Sequence, residues 1–218
     1  MASLMSSLAL TTLLPLAGAL VALVLPRSKQ QLLRGYGIAV ALVTFLQSLF
    51  VLAAFEPAQA GFQLETNWDW VPALGIHFHL GVDGISLWLV MLSTLMVLVT
   101  LLSPQATGFV RDRNRGFMAA MLMLESGMIG AFLALDMFAF YVFWELMLVP
   151  MYFIIGIWGG ERRVYAAIKF MIFTLVGSLL MLAAILVMAA TVHKLSGQWT
   201  FDYTTWSKLL LQIGRAHV

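Results

Sequence analysis

Two glutamates interrupt long apolar runs, Glu125 within residues 116–134 and Glu145 within 137–157. An ionisable group placed in such a run costs several kcal/mol to bring into lipid, so each is a functional candidate by default. Burial disfavours a carboxylate's charged form, and a nearby cation favours it again. A glutamate held between those influences takes up or releases a proton when a neighbouring charge moves, which is the chemistry of a proton relay. The competing reading is a glutamate that only joins helices through hydrogen bonds. For Glu145 the relay is the better reading, because Pro150 follows it in the same run. A proline frees the carbonyl one turn upstream, here Leu146, and kinks the helix. The freed carbonyl next to Glu145 can hold water. Glu125 has no such neighbour.

Three other residues carry weaker signals. Lys169 opens the next apolar run, either as a snorkelling lysine or as a coupling charge for proton movement. His77 and His79 fall on one side of an extended segment, but two histidines without further ligands read as outer-surface residues rather than a metal site. His193 reads as a loop residue. The fourteen methionines read as helix-packing and lipid-facing material.

What positions these residues is a membrane. The chain of 218 residues is 62% hydrophobic and 10% charged, with mean hydropathy +0.96. A soluble domain is about a quarter charged, so too few charges are present to build a water-facing surface. Crossing a hydrocarbon core takes about 20 helical residues, and backbone groups in lipid must be satisfied within the helix. The fold class expected is therefore all-α, a polytopic transmembrane helix bundle. Six spans are expected, at about 4–25, 33–55, 84–102, 116–134, 137–157 and 166–190. Zero cysteines exclude disulfides, thiolate metal sites and iron–sulfur clusters. The net charge of +2 gives no nucleic-acid footprint, and no nucleotide-binding glycine loop appears. No cofactor is expected in this chain.

Loop charge sets orientation. The connections after spans 1, 3 and 5 carry Arg27, Lys29 and Arg34, then Arg111, Arg113 and Arg115, then Arg162 and Arg163. The alternate connections carry Glu56, Glu65, Asp69 and Asp83, then Asp136. The basic loops share one side, which places the N-terminus outside. The long outer loop, about 56–83, holds Trp68 and Trp70, residues suited to the headgroup level. Its run Ile76–Asp83 alternates apolar and polar residues, as a short extended segment does. At the other end, Leu209–Leu211 begins an apolar run that stops at Gln212. Residues 213–218 read as translated sequencing adapter, so a membrane domain of 1–211 is expected, cut short before a seventh helix.

Leu80–Leu87, with its Gly81-Val82-Asp83-Gly84, resembles the opening signature of the antiporter-like membrane subunits of proton-translocating NADH:quinone oxidoreductase (complex I). The run Phe138–Phe153, with Trp144-Glu145 and Leu148-Val149-Pro150-Met151-Tyr152, is similar to the M (mitochondrial chain 4) family in particular, and Lys169-Phe170 also fits. The resemblance runs to about residue 211. It implies a subunit of about fourteen helices that pumps protons, working with other complex I membrane-arm subunits in a bacterial inner membrane. The glutamate matching Glu145 would pair with a lysine on the seventh helix, which this chain lacks, so the chain alone is expected to be inactive. Redox chemistry would lie on partner subunits. An Mrp-type sodium/proton antiporter or related membrane-bound hydrogenase shares the Trp-Glu span, and a purely structural membrane subunit is a third reading.

Overall fold

The computed structural model describes residues 2–26, 30–103 and 114–216. Arg27, Lys29, Arg111 and Arg113, on which the loop-charge argument drew, lie outside the described residues, as do 217 and 218. The elements run α1 (Ala2–Val24), α2 (Gln30–Ala54), β1 (Gln63–Val71), β2 (Ile76–Val82), α3 (Gly84–Leu102), α4 (Asn114–Leu133), α5 (Met137–Trp158), α6 (Arg163–Ser196) and α7 (Tyr203–Ala216). Helices α2 to α6 are long and apolar enough to cross a membrane, and α1 contributes the apolar stretch Leu8–Val24 beside them. This is a multi-pass helical membrane protein.

Two boundaries differ from expectation. α6 runs over Arg163–Ser196, beyond the expected 166–190, because nothing in the sequence stops it before Gly197, which adopts a left-handed conformation (φ 75°) and caps it. Its 34 residues make a rod about 51 Å long, longer than a hydrocarbon core about 30 Å thick. His193 therefore belongs to the last turn of α6 and not to a loop, and its ring stacks on Trp199 at 4.5 Å. α7 begins at Tyr203 rather than near Leu209, because Asp202 supplies the cap that starts it, accepting from the Thr205 backbone N–H at 2.8 Å.

Aspartates start the neighbouring helices in the same way. Asp83 accepts from the backbone N–H groups of Ile85 and Ser86, and Ser86 accepts from the Asp83 N–H, a reciprocal box that opens α3. Asp136 accepts from Phe138 and Ala139 at the start of α5, and its second oxygen takes the His77 backbone N–H at 3.0 Å. The hairpin β1–β2 is antiparallel. Leu135 donates its N–H to the His79 carbonyl, Met137 to Phe201 and Tyr203 to Leu135. The hairpin, the α4–α5 turn and the α6–α7 connection are thus sewn together at one end of the bundle. Gly75 makes this possible: it has φ +64°, and a Cβ there would meet the Trp199 carbonyl oxygen at 2.0 Å.

Inside the bundle, α4 is the hub. Its Met118 and Leu122 pack with Ala19, Ala41 and Leu101, and its Ile129 and Leu133 pack with Leu8, Val51 and Val90. Buried hydroxyls tie the helices across: Ser126 donates to the Thr12 carbonyl at 2.6 Å, and Ser48 pairs with Thr94 at 3.1 Å. On its other side α4 meets α5 through glycines. A Cβ at Gly130 would lie 2.3 Å from the Phe143 ring, and one at Gly127 would lie 2.5 Å from Met147. Small residues let apolar helices approach closely where no hydrophobic drive separates them from lipid. Replacing Gly130 by leucine is therefore expected to lower stability by about 1–3 kcal/mol through overpacking. Thermal unfolding in detergent checks this, with Gly177→Leu, whose Cβ meets open space, as the neutral control.

Candidate functional site

The glycine contacts fix the register of the central helices. Gly130 lies against Phe143 and Gly127 against Met147, so Glu125 is level with Leu148 and Val149. That is about one turn, roughly 5 Å, from the level of Glu145. On the next interface Gly156 lies 3.4 Å from Ala167, which brings Ser178 level with Glu145. Both glutamates sit in the body of their helices, Glu145 nine residues past Asp136 and about 13 Å along the axis.

Their surroundings differ. Glu125 is fully buried, at 0% exposure, and neither carboxylate oxygen has a hydrogen-bond partner among the described residues. It shares the face of α4 that carries Met118, Leu122 and Ile129, the face packed on α1, α2 and α3. Gly127 and Gly130 occupy roughly the opposite face, toward α5. The two glutamates are thus close in depth but turned to different helix neighbours. The sequence could not show this, since depth follows from counting residues while the facing depends on which side of α4 the glycines claim.

Glu145 is half-buried and looks toward α6. Tyr141, one turn earlier on the same face, reaches both Glu145 and Ser178, whereas Glu145 Oε1 is buried without a partner among the described residues. Pro150 is buried inside α5, which continues through it to Trp158. The missing proline N–H leaves the Leu146 carbonyl, adjacent to Glu145, without its helical donor. A carboxylate, a phenol and a serine thus lie near one level, one turn before the proline in α5. Sequence reasoning found Glu145 and Pro150 and missed Tyr141 and Ser178. The four-residue spacing of Tyr141 and Glu145 was readable, but the Ser178 contact needed the α5–α6 register.

Lys169 is exposed on α6, its ammonium 5.7 Å from the Tyr165 ring. The same register makes it level with Ile154, nine residues and about 13 Å from Glu145. No carboxylate pairs with it among the described residues. The histidines are also placed differently from expectation. His77 pairs with Asp69 at 3.0 Å near the surface, but His79 is buried at 5% exposure and is no outer-surface residue. Its ring nitrogens meet two carboxylates, Asp202 at 2.6 Å and Glu65 at 2.9 Å. No three-residue metal-binding group occurs among the described residues.

Residues 134–213 match the family described as NADH:quinone oxidoreductase/Mrp antiporter, TM. Over 185 residues the chain is 44% identical to NADH-quinone oxidoreductase subunit M of Rhodobacter capsulatus, covering 83% of this chain and 35% of that protein. It is 44% identical over 184 residues to NADH-ubiquinone oxidoreductase chain 4 of Marchantia polymorpha, covering 83% and 36%. Among solved structures, respiratory complex I from Thermus thermophilus with bound NADH contains a chain that superposes with TM-score 0.73 at 30% identity, over 91% of this chain and 38% of that one. The chain spans about a third of the length of the relatives it matches.

Burial without a partner makes Glu125 a residue that packing alone would replace. Glu125→Met is expected to leave thermal stability equal or higher, because it removes an uncompensated buried polar group, while lowering proton transport if the carboxylate carries protons. Unfolding midpoints and vesicle transport, measured on the same variant, separate the two roles.

Proposed function

We propose that this chain, a member of the NADH:quinone oxidoreductase/Mrp antiporter family, works as part of a proton-translocating membrane subunit of an NADH:quinone oxidoreductase, with Glu145 as its proton-transferring group. The observation that carries the reading is Glu145 itself: a half-buried carboxylate in mid-span, beside Tyr141, which in turn lies by Ser178, and with one oxygen unpartnered among the described residues. A group so placed changes protonation at a cost set by neighbouring charge, and Tyr141, Ser178 and the Leu146 carbonyl next to Pro150 offer hydroxyl and carbonyl steps for water or a proton to follow. Glu125 is a second carboxylate one turn away in depth, reached from the α1–α3 side.

In this reading the chain holds no redox centre. NADH oxidation and quinone reduction belong to partner subunits, and their energy arrives as charge movement near Glu145. The partners are other membrane-arm subunits and the lipid around the exposed face of α6. Lys169, too far from Glu145 to pair with it directly, acts as a charge through which movement elsewhere is passed along. The protein resides in a bacterial inner membrane with its N-terminus and the β1–β2 hairpin on the outer side. An antiporter driven by a sodium gradient is the alternative within the same family, and sodium dependence of transport distinguishes it.

The test is Glu145→Gln in the complete subunit within its assembled complex. General acid–base groups contribute about 10²–10⁴ in rate, so NADH-driven proton pumping is expected to fall by at least about tenfold, with assembly intact and Glu145→Asp partly active. Undiminished pumping by the assembled glutamine variant rules the assignment out.

A further inference from the structure

A buried, doubly engaged histidine lies away from Glu145. His79 on β2 sits between carboxylates from two different parts of the chain. Its Nδ1 is 2.6 Å from Asp202 Oδ2, in the α6–α7 connection, and its Nε2 is 2.9 Å from Glu65 Oε2 on β1. An ionised carboxylate only accepts hydrogen bonds, and a neutral imidazole carries a single N–H. With both carboxylates ionised, the two contacts are satisfied as hydrogen bonds only when both ring nitrogens are protonated, and the geometry then fits an imidazolium.

From this we propose that His79 is a charged latch: its doubly protonated ring fastens the α6–α7 connection to the hairpin, and loss of its proton at alkaline pH unfastens them. Asp202 is the pivot of the joint. Its other oxygen accepts from the Thr204 hydroxyl and the Thr205 N–H that begin α7, and its backbone bridges to Asp136 at the start of α5. The latch therefore holds the helix ends of α5 and α7 as well as the hairpin. This does not depend on proton transfer at Glu145.

The charged neighbours agree with it. Burial of His79 opposes its charge, but the hydrogen bonds and charges of Asp202 and Glu65 outweigh burial and hold the ring above its ordinary 6.5. Burial likewise acts to raise Asp202, yet bonds from His79, Thr204 and Thr205 hold its carboxyl well below the usual carboxylate range. Asp69 on β1 is engaged by His77. Asp136 is raised by burial and turned onto the backbone N–H groups of His77, Phe138 and Ala139. Asp83, past the end of β2, is committed to capping α3. The signs follow. The His79 contribution is complete below its ordinary value and is lost as pH rises through the raised one. The Asp202 contribution is present above the ordinary carboxylate value of 3.8 and is lost on acidification through its lowered one.

Amide hydrogen exchange on the protein in its native membrane reads the latch directly. Protection of residues 76–82 and 200–206 is expected to hold below the ring's raised value and to fall by about tenfold per pH unit above it, once the ring loses its single proton. His79→Gln, whose single amide nitrogen can donate to only one of the two carboxylates and carries no charge, should show lower protection at neutral pH and no alkaline fall. A second variant guards against misfolding of the first: Glu65→Gln, at a half-exposed carboxylate, removes one anion and should shift the onset to lower pH. Flat wild-type protection up to about pH 10, an alkaline fall unchanged in His79→Gln, or an unshifted onset in Glu65→Gln overturns the proposal.

Discussion

Lipid offers the spans of this molecule no hydrogen-bond partner. In the spans no solvent can answer a polar group, so every carboxylate, hydroxyl and free carbonyl must find a neighbour or be held at a cost. The serines and threonines obey this by turning onto carbonyls one turn back, as Thr12, Thr44 and Thr94 do. Glu125 and the Oε1 atom of Glu145 do not obey it among the described residues. A group that packing has not satisfied is one that can respond to something else; His193 Nδ1, at the end of α6, shares this state, and the two glutamates are the mid-span groups left so among the described residues.

The same constraint explains the division of the molecule into two kinds of chemistry. At the hairpin end four aspartates are all spoken for: Asp83 and Asp136 cap helices, Asp202 caps a helix and binds His79, and Asp69 holds His77. The negative charge of Asp83, Asp136 and Asp202 meets helix N-termini, where the helix dipole favours it. Mid-span carboxylates have no helix terminus to meet. One end of the bundle is therefore fixed by saturated contacts, and the interior keeps unsaturated ones. α4 joins the two regimes, since it carries Glu125 and ends in the Ala134–Asp136 turn that the hairpin grips through Leu80 and His79.

Much of this was legible in the sequence, for physical reasons that differ by element. Apolar length alone located the five long helices α2 to α6, because a helix that crosses lipid must be about 20 residues long whatever its partners. The depth of Glu145 followed from counting residues past Asp136. The extended character of Ile76–Val82 followed from alternation. β1 was passed over although it was readable, since Glu65, Asn67 and Asp69 alternate with Thr66, Trp68 and Trp70. His79 was misplaced for a different reason: alternation gives the side of a strand a residue is on, and only the return of the chain at Asp202, 123 residues later, shows that this side is covered.

The separation of Glu125 from Glu145 shows where pattern reading stops. Residues 125 and 127 point to nearly opposite sides of a helix, so the packing of Gly127 on Met147 decides where Glu125 cannot look. Two glycines with no chemistry of their own thereby assign one acid to the α1–α3 side and leave the α5–α6 side to the other. An interior route that used both would have to pass around α4, through the buried hydroxyls on its faces, rather than run straight across the α4–α5 contact. The closeness that gives the hairpin its stability is also what keeps the two carboxylates from acting as one site.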